Sequence, residues 1–287
     1  MKKIHILNPA AGQGQALNYK NSENAYITKG VGDATDYVAK NADDGVHFYV
    51  YGGDGTVSEV VNGIMRSGKS ASFSIVPVGT GNDLLRTLDM NECDSVMADV
   101  LTVNDSYAIN AVNTGFDLDV VIKASEYKKK KFISGTLAYI LGVVSVLCKK
   151  FGKKISVEYT NKDGNTKTFE GECLLAVAAN GSYYGGGFKC APIADITDGL
   201  IDLLIVKKVS RLKFLTLIMK YMNGKHISPE TKSPIPSFAK YVVFDKCKSV
   251  TFSGIDKICT DGEVWNTDCA RIGIKQNAIN VKKDKTK

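Results

Sequence analysis

Over the first hundred residues, compact apolar runs alternate with segments whose apolar residues recur every three to four positions. The runs are typical of buried strands, and the segments between them are typical of helices. The predicted strands are Lys3–Leu7, Ala25–Thr28, 46–51 and Phe73–Val76, and the predicted helices are Gly32–Lys40, 57–66, Leu84–Leu88 and a polar stretch after Gly12. This repeated strand–helix order predicts a parallel sheet with helices on both faces.

Beyond residue 100 the pattern changes to short alternating runs separated by turn residues. This alternation predicts a mostly antiparallel β unit. Two helices are expected to interrupt it, at 120–150 and 210–223. The predicted strands are Ser106–Asn113, Ile155–Tyr159, Thr168–Glu170, Cys173–Asn180, Leu200–Lys207, Tyr241–Asp245, Ser249–Ser253 and Arg271–Lys275. We therefore expect an α/β domain over 1–105, a β domain over 106–275, and a segment with a basic tail, 276–287, that can return to the first domain.

Composition narrows the class of protein without identifying it. The 287 residues are 44% hydrophobic and 23% charged, as in soluble globular proteins, and the net charge is +7. This excess suits a phosphate-bearing ligand or an anionic membrane surface, and nothing in the sequence indicates nucleic acid as a partner. Seven cysteines without a Cys-x-x-Cys pair predict reduced thiols in a cytoplasmic protein, and three histidines argue against a zinc site.

One segment departs from this ordinary composition. Phe132–Cys148 contains no charged residue and has lysines on both sides. Its 17 residues are at the short limit for crossing a bilayer. A buried helix, a helix at the membrane surface and a membrane span all remain open for it.

The most informative stretch is Gly52-Gly53-Asp54-Gly55-Thr56, between a predicted strand and a predicted helix. A glycine-rich turn at the start of a helix brings backbone N–H groups close to a phosphate, at the positive end of the helix dipole. Asp54 places a carboxylate there that can hold a metal ion or take a proton. An ordinary turn between strand and helix is the alternative interpretation.

Two further loops follow neighbouring strands in the same way. Asn8–Gly12 comes after the first strand, and Gly79–Asp83 comes after the strand that ends at Val76. The carboxyl ends of parallel strands meet at one edge of a sheet, where open α/β folds bind their ligands. Three such loops favour nucleotide binding. No Gly-x-x-x-x-Gly-Lys-Ser/Thr motif is present, so the chain is not a Walker-type NTPase.

Four motifs, in order along nearly the whole chain, resemble the diacylglycerol-kinase-like lipid kinases, which include bacterial diacylglycerol kinases and sphingosine kinases. The long central motif is specific, and the last is weak by itself. They are Asn8–Gly12, Gly52–Asn62, Pro77–Asp83, and Asp198-Gly199 with Asp261-Gly262-Glu263. The resemblance implies an N-terminal α/β nucleotide-binding domain, a C-terminal β-sandwich domain, and an active site in the cleft between them.

The resemblance also implies ligands for particular residues. It implies ATP and Mg²⁺ as cofactors, and a metal loop with Asp198 and the backbone oxygens of Asp195 and Leu200 as magnesium ligands. A hairpin turn is the alternative for Asp198-Gly199. The residues expected to line the ATP site are Asn8, Pro9, Ala10, Ala11, Gly12, Thr28, Gly52, Gly53, Asp54, Gly55, Thr56, Val57, Ser58 and Thr80.

Phosphorylation of an alcohol requires a group that removes the hydroxyl proton. Asp261 and Glu263 are two residues apart, so one extended turn can present both carboxylates to the same side. The resemblance assigns the base to this turn in bacterial members and also implicates Asp54 in sphingosine-kinase relatives. We predict Asp261 or Glu263 as the base, with Asp54 organising metal and phosphate, and leave the choice among the three open.

Together these features predict an ATP- and Mg²⁺-dependent lipid kinase that phosphorylates diacylglycerol at a peripheral membrane surface. Another lipid alcohol (a sphingoid base, phosphatidylglycerol or undecaprenol) or a small soluble alcohol, as in NAD kinases, is the alternative acceptor. A nucleotide-binding regulatory protein without catalysis is the alternative of a different class. A homodimer is compatible with the sequence.

Overall fold

The computed structural model describes residues 2–78, 81–88, 94–128, 141–142, 145–146 and 152–284. The predicted Phe132–Cys148 segment therefore lies largely outside the described residues, as do Gly79 and Thr80. Within the described residues, no helix is both long and apolar enough to cross a membrane.

The N-terminal half contains a parallel sheet whose strands are ordered β2-β1-β3-β4. The strands are β1 (Lys3–Leu7), β2 (Ala25–Ile27), β3 (His47–Gly52) and β4 (Ser72–Pro77), and the helices are α1 (Asp33–Asn41), α2 (Asp54–Ser67) and α3 (Asp83–Thr87). The predicted α/β order is confirmed. The polar stretch after Gly12 is a 3₁₀ segment, Ala11–Tyr19, interrupted by left-handed backbone at residues 12–14, which a regular helix does not tolerate.

The apolar period of α2 explains how this helix lies on the sheet. Val57, Val60, Val61 and Ile64 are all buried in one core with apolar residues of β1, β3 and β4. The helix ends at Gly68, whose φ of 67° is the left-handed conformation that glycine adopts without a Cβ penalty. The packing of these apolar side chains therefore fixes the position of α2 on the sheet, so that the first turn of the helix lies at the carboxyl edge of the sheet.

The second half is mostly antiparallel, as the alternating pattern predicts. Its strands are β5 (Ser95–Val103), β6 (Ser106–Ala108), β7 (Ala111–Gly115), β8 (Lys153–Asn161), β9 (Thr166–Ala179), β10 (Ile201–Lys207), β11 (Ile227–Ser228), β12 (Ser233–Pro234), β13 (Val242–Ser253), β14 (Lys257–Thr260), β15 (Glu263–Asn266) and β16 (Cys269–Lys282). The helices are α4 (Phe116–Lys128), α5 (Arg211–Met222) and α6 (Pro236–Ala239).

Several strand boundaries differ from prediction. The predicted strands Tyr241–Asp245 and Ser249–Ser253 form one continuous strand, β13. Its first part pairs with β10 and its second part with β8, and an irregularity at Cys247 separates the two parts. This bulge carries lysines on both sides, which in the sequence are typical of a turn. Thr168–Glu170 and Cys173–Asn180 likewise merge into β9, whereas Ser106–Asn113 divides into β6 and β7. The strands β5, β11, β12, β14 and β15 were not predicted.

The last strand connects the two halves of the fold. Along most of its length β16 is antiparallel to β13 and β5. Its end runs parallel to β4, with Asn280 opposite Ser72 and Val281 opposite Phe73. Ile279 and Val281 are accordingly buried in the same core as α2. The C-terminal segment thus extends the N-terminal sheet, and β16 joins the two halves of the molecule through continuous strand pairing.

Candidate active site

A cleft of about 750 Å³ opens where the two halves meet. One wall consists of the Asn8–Gly12 turn, the start of α2 and the start of α3. The other consists of the β6–β7 connection, the glycine loop 185–186 and the turn between β14 and β15. The structure thus brings three motifs and the Asp261-Gly262-Glu263 part of the fourth, all far apart in sequence, to one place.

The Asn8 side chain connects the first two motifs. Its amide donates to Thr56 Oγ1 (2.8 Å), and its Oδ1 accepts from the Ala10 N–H (2.9 Å). Gly12 has a φ of 56°, and a Cβ at this position would overlap the carbonyl oxygen of Val78. These contacts hold the Asn8–Gly12 turn against the first turn of α2, which leaves bare backbone facing the cleft.

The glycine-rich loop packs too closely for any side chain at its first position. A Cβ on Gly52 would overlap the Thr56 side chain. Gly53 is the N-cap of α2, and no side chain caps the first turn that starts at Asp54. Unsatisfied N–H groups at a helix start bind anions, so this end of α2 has the geometry of a phosphate site.

Asp54 also organises the third motif. Its Oδ1 accepts from the Asp83 N–H (2.7 Å), and a Cβ on Gly81 would overlap its Oδ2. The Asp83 carboxylate then accepts from the Gly186 N–H of the opposite wall (2.8 Å). A chain of contacts from Asp54 through Asp83 to Gly186 therefore crosses the cleft.

Asp83 is a site residue that the sequence predictions did not include. It is 4% exposed, and its Oδ1 has no hydrogen-bond partner within the described part of the chain. Burial, assisted by the negative charge of Asp54, raises its pKa. A buried carboxylate oxygen without a donor is suited to bind a cation. The only sequence signal for Asp83 as a site residue was its position in the Pro77–Asp83 motif.

Asp261 is held by backbone groups rather than by a charged partner. Its Oδ1 accepts from the N–H groups of Asn110 (2.9 Å) and Ala111 (3.0 Å), and its Oδ2 from that of Ile109 (2.7 Å). The residue itself has a φ of 48°, in the left-handed region. Burial of the carboxyl group raises its pKa to about 6, against the opposing effect of these three donors, and the charge of Asp54 adds to the rise. Asp261 thus anchors its turn to the β6–β7 connection.

Glu263 lies at the start of β15, next to this anchored turn, and lines the cleft. Partial burial of its carboxyl group raises its pKa, with Glu59 adding to the rise and Arg66 opposing it. Its carboxylate receives no hydrogen bond from the residues that the structure describes. Unlike Asp261, Glu263 therefore presents an uncommitted carboxylate to the cleft.

The remaining predicted ATP-site residues have different surroundings. Thr28 is buried, and together with Pro9 it lines a smaller pocket beside the cleft that also includes Asn8 and Thr56. The Val57 side chain packs in the core and not in the cleft, whereas Ser58 borders a neighbouring pocket. Ala10, Ala11, Gly53 and Gly55 line the cleft itself. Thr80 lies outside the described residues.

The predicted metal loop does not line the cleft, and the oxygen atoms of two of its three predicted ligands, Asp198 and Asp195, already have partners. Asp198 Oδ1 accepts from the Leu200 N–H (2.9 Å), and its Oδ2 is 2.7 Å from Lys246 Nζ. The Asp195 carbonyl accepts from the Asp198 N–H (3.3 Å). No cluster of three or more His, Cys, Asp or Glu residues suited to a metal occurs in the portion of the chain described. As it stands, the loop does not fit a divalent cation, because an ammonium group occupies the face of the only carboxylate expected to bind it.

Comparisons with known proteins give the family to which this two-domain fold and its cleft belong. Residues 4–113 match the diacylglycerol kinase catalytic domain, and residues 110–282 match the YegS C-terminal NAD kinase beta sandwich-like domain. The chain belongs to the diacylglycerol-kinase-like lipid kinase family, as the four motifs predict.

Curated relatives agree with the domain matches. The chain is 32% identical to a diacylglycerol kinase from Staphylococcus carnosus (strain TM300), over 83% of this chain and 77% of that protein. It is 31% identical to a diacylglycerol kinase from Bacillus subtilis (strain 168), over 62% of this chain and 61% of the relative. The latter match thus spans less than two thirds of that relative's length.

Solved structures share the architecture over nearly the whole chain. A crystal structure of a candidate diacylglycerol kinase from Bacillus anthracis str. Sterne has a TM-score of 0.72 and 25% identity, covering 99% of this chain and 97% of the other. The predicted two-domain fold, with an N-terminal parallel sheet and a C-terminal antiparallel β-sandwich, is confirmed.

Proposed function

We propose that the protein transfers the γ-phosphoryl group of ATP to the hydroxyl group of a membrane lipid, with diacylglycerol as the acceptor and phosphatidic acid as the product. The observation that supports this most directly is the cleft, in which an uncapped helix start faces a set of carboxylates across the interdomain junction. Phosphoryl transfer depends mainly on positioning and on stabilising charge, and both are available here.

The nucleotide half of the proposal rests on the start of α2. The N–H groups around Asp54 and the backbone of the Asn8–Gly12 turn accommodate the phosphates. Asp54 and the unpartnered Oδ1 of Asp83 would hold a Mg²⁺ ion that enters with ATP. When bound, that ion supplies positive charge that neutralises the phosphate oxygens as the γ-phosphoryl group transfers.

We assign the general base to Glu263 and a positioning role to Asp261. The Glu263 carboxylate takes the proton from the lipid hydroxyl while the hydroxyl oxygen bonds to the γ-phosphorus, and ADP leaves with the electrons of the broken P–O bond. Three backbone donors occupy Asp261, so a proton on that carboxylate is confined to the remaining lone-pair site of Oδ2. The raised pKa makes Glu263 a stronger base than an ordinary glutamate.

A narrow apolar cavity of about 50 Å³, which must widen to admit an acyl chain, favours a lipid over a small polar alcohol. Its walls come from α4, β9 and α5 and are almost entirely hydrocarbon and aromatic, including Phe116, Leu174, Phe214 and Tyr221. Tyr184 lines both this cavity and the cleft. An acyl chain in the cavity would therefore leave the lipid headgroup near the phosphate site.

The outer face of α5 suits the approach to a membrane surface. Leu212, Leu215 and Met219 are 79%, 54% and 62% exposed. The sequence of this helix contains three basic residues and no acidic residue. Exposed apolar side chains with basic neighbours favour the surface of an anionic bilayer, which supports peripheral membrane association.

A lipid panel with labelled ATP tests the proposal. The purified protein is incubated with MgCl₂, γ-labelled ATP and mixed micelles that contain diacylglycerol, a sphingoid base, phosphatidylglycerol or undecaprenol, with NAD as a soluble acceptor. Label in phosphatidic acid is the expected result. Label only in NAD, or ATP binding without product from any acceptor, would overturn the proposal.

A further inference from the structure

A lysine ammonium group, that of Lys246, contacts the predicted metal loop. Lys246 Nζ lies 2.7 Å from Asp198 Oδ2 and 2.8 Å from Asp202 Oδ2. Both distances are those of strong charge-assisted hydrogen bonds. The ammonium group therefore bridges two carboxylates at the place where the family resemblance implies Mg²⁺.

Strand register places Lys246 there. Lys246 on β13 is directly opposite Asp202 on the neighbouring antiparallel strand β10. The Asp202 side chain is 1% exposed and that of Lys246 is 16% exposed, so this pair is shielded from solvent, unlike an ordinary surface ion pair. A charged ammonium is thus a fixed part of the sheet.

The loop is also held by other contacts that need no ion. Asp99 Oδ2 accepts from the Gly199 N–H (2.7 Å) and its Oδ1 from the Asn277 N–H (2.7 Å). Asp195 Oδ1 accepts from both the N–H and the hydroxyl of Thr197. These contacts tie the loop to β5 and β16, the strands that join the two halves of the molecule.

We propose that Lys246 replaces a divalent metal as the structural cation of this loop, so that the folded structure here is independent of Mg²⁺. A Mg²⁺ ion needs oxygen ligands at close range in near-octahedral geometry. An ammonium group between the same carboxylates repels that ion and takes the oxygen atoms it would need. The Oδ1 of Asp202, which has no partner among the described residues, remains available if the ammonium is removed.

Thermal unfolding without nucleotide tests this proposal independently of kinase activity. The Tm of the unaltered protein is expected to be the same in EDTA and in millimolar MgCl₂. Lys246→Met keeps the side-chain length and removes the charge, which leaves two adjacent carboxylates unpaired. Its Tm is expected to fall in EDTA and to recover in MgCl₂. Lys167→Met is the matched control, because Lys167 pairs with Asp245 on the same β13 strand but at the surface.

The number of Mn²⁺ ions bound by the protein is a second measurement, which tests the proposal even if the Lys246→Met variant does not fold. Asp198→Asn in the otherwise unaltered protein is expected to leave the number of Mn²⁺ ions bound unchanged. The Lys246→Met variant, where it folds, is expected to gain one Mn²⁺ ion that is lost again when Asp198→Asn is added. A Mn²⁺ site removed by Asp198→Asn alone, an Mg²⁺-dependent Tm in the unaltered protein, or a folded Lys246→Met variant whose Tm ignores Mg²⁺ would each overturn the proposal.

Discussion

Replacement of Asp261 by Asn separates the anchoring of the catalytic turn from proton transfer. The change keeps the size of the side chain and removes its charge. The amide oxygen of Asn can still accept from Asn110 and Ala111, but its NH₂ group then faces the Ile109 N–H. One charge-assisted hydrogen bond becomes a contact between two donors, which costs roughly 2–4 kcal/mol of folding free energy.

A second effect opposes this loss. The rise of the Asp261 pKa from 3.8 to about 6 means that the folded protein holds the ionised carboxylate about 3 kcal/mol less favourably than the unfolded chain does at neutral pH. Asn removes that penalty. We therefore expect the two effects nearly to cancel at pH 7.5, with a net change of no more than about 1 kcal/mol and a Tm shift of no more than roughly 2–4 °C.

The pH dependence of the difference has a definite sign. Because the folded-state pKa is raised, the folded protein binds the proton more tightly, and the stability that this proton contributes is lost as pH rises from about 4 to about 6. Acidification to pH 5 restores about 1.4 kcal/mol to the unaltered protein and nothing at this position to the Asn variant. The Tm of the unaltered protein should therefore rise relative to that of the Asn variant at pH 5.

Differential scanning calorimetry at both pH values measures this difference in Tm, with Asp163→Asn in an exposed turn as the control. In the lipid assay, Asp261→Asn should lower kcat about a hundredfold, because displacement of the turn misplaces Glu263. A Tm gap that is constant with pH would refute the raised pKa. An unchanged kcat would refute the anchoring role.

Four other changes test other parts of the cleft. Glu263→Gln should lower kcat by about 10²–10⁴ with little change in Tm, since the carboxylate accepts no hydrogen bond from the described residues; full activity would remove it as the base. Asp83→Asn should raise the KM for ATP and speed amide hydrogen exchange at Gly186, whose N–H loses a charged acceptor; unchanged exchange would contradict that contact. Gly52→Ala should lower Tm through about 1–3 kcal/mol of overpacking and raise the KM for ATP; an unchanged Tm would contradict the close contact with Thr56. The double change Leu212→Ser and Leu215→Ser should weaken sedimentation with anionic vesicles at least about tenfold while activity on a short-chain soluble diacylglycerol persists; full vesicle binding would exclude this face of α5 as the membrane contact.

The N-terminal half was predictable because its signals are local. The apolar period of α2 and the glycines at its start lie within a few residues of the structures that they determine. Helix period and turn chemistry are properties of short windows of sequence. The same holds for Gly12. Its backbone is left-handed and packs against Val78, where a side chain would overlap the Val78 carbonyl oxygen.

The strand boundaries of the second half were less predictable because they depend on partners far along the chain. The β13 strand is continuous only because β10 supports its first part and β8 its second. The lysines on both sides of its bulge are polar residues that are also common in turns, so the sequence alone does not distinguish the bulge from a turn. The short strands β14 and β15 form a hairpin that is stabilised by pairing with β7, about 150 residues earlier.

The motifs identified the carboxylates of the site, but not what each one does, because a carboxylate's role is decided by the groups that donate to it. Asp261 receives three backbone N–H groups from residues 109–111, which carry no side-chain signature in the sequence. Glu263, two residues later, receives none from the described residues and is left for the proton. Asp198 faces an ammonium group that strand register brings from 48 residues away. Carboxylates that look equivalent in a motif thus divide into one anchored by backbone donors, one without such donors that we propose as the base, and one in an ion pair, and these surroundings follow from the tertiary fold.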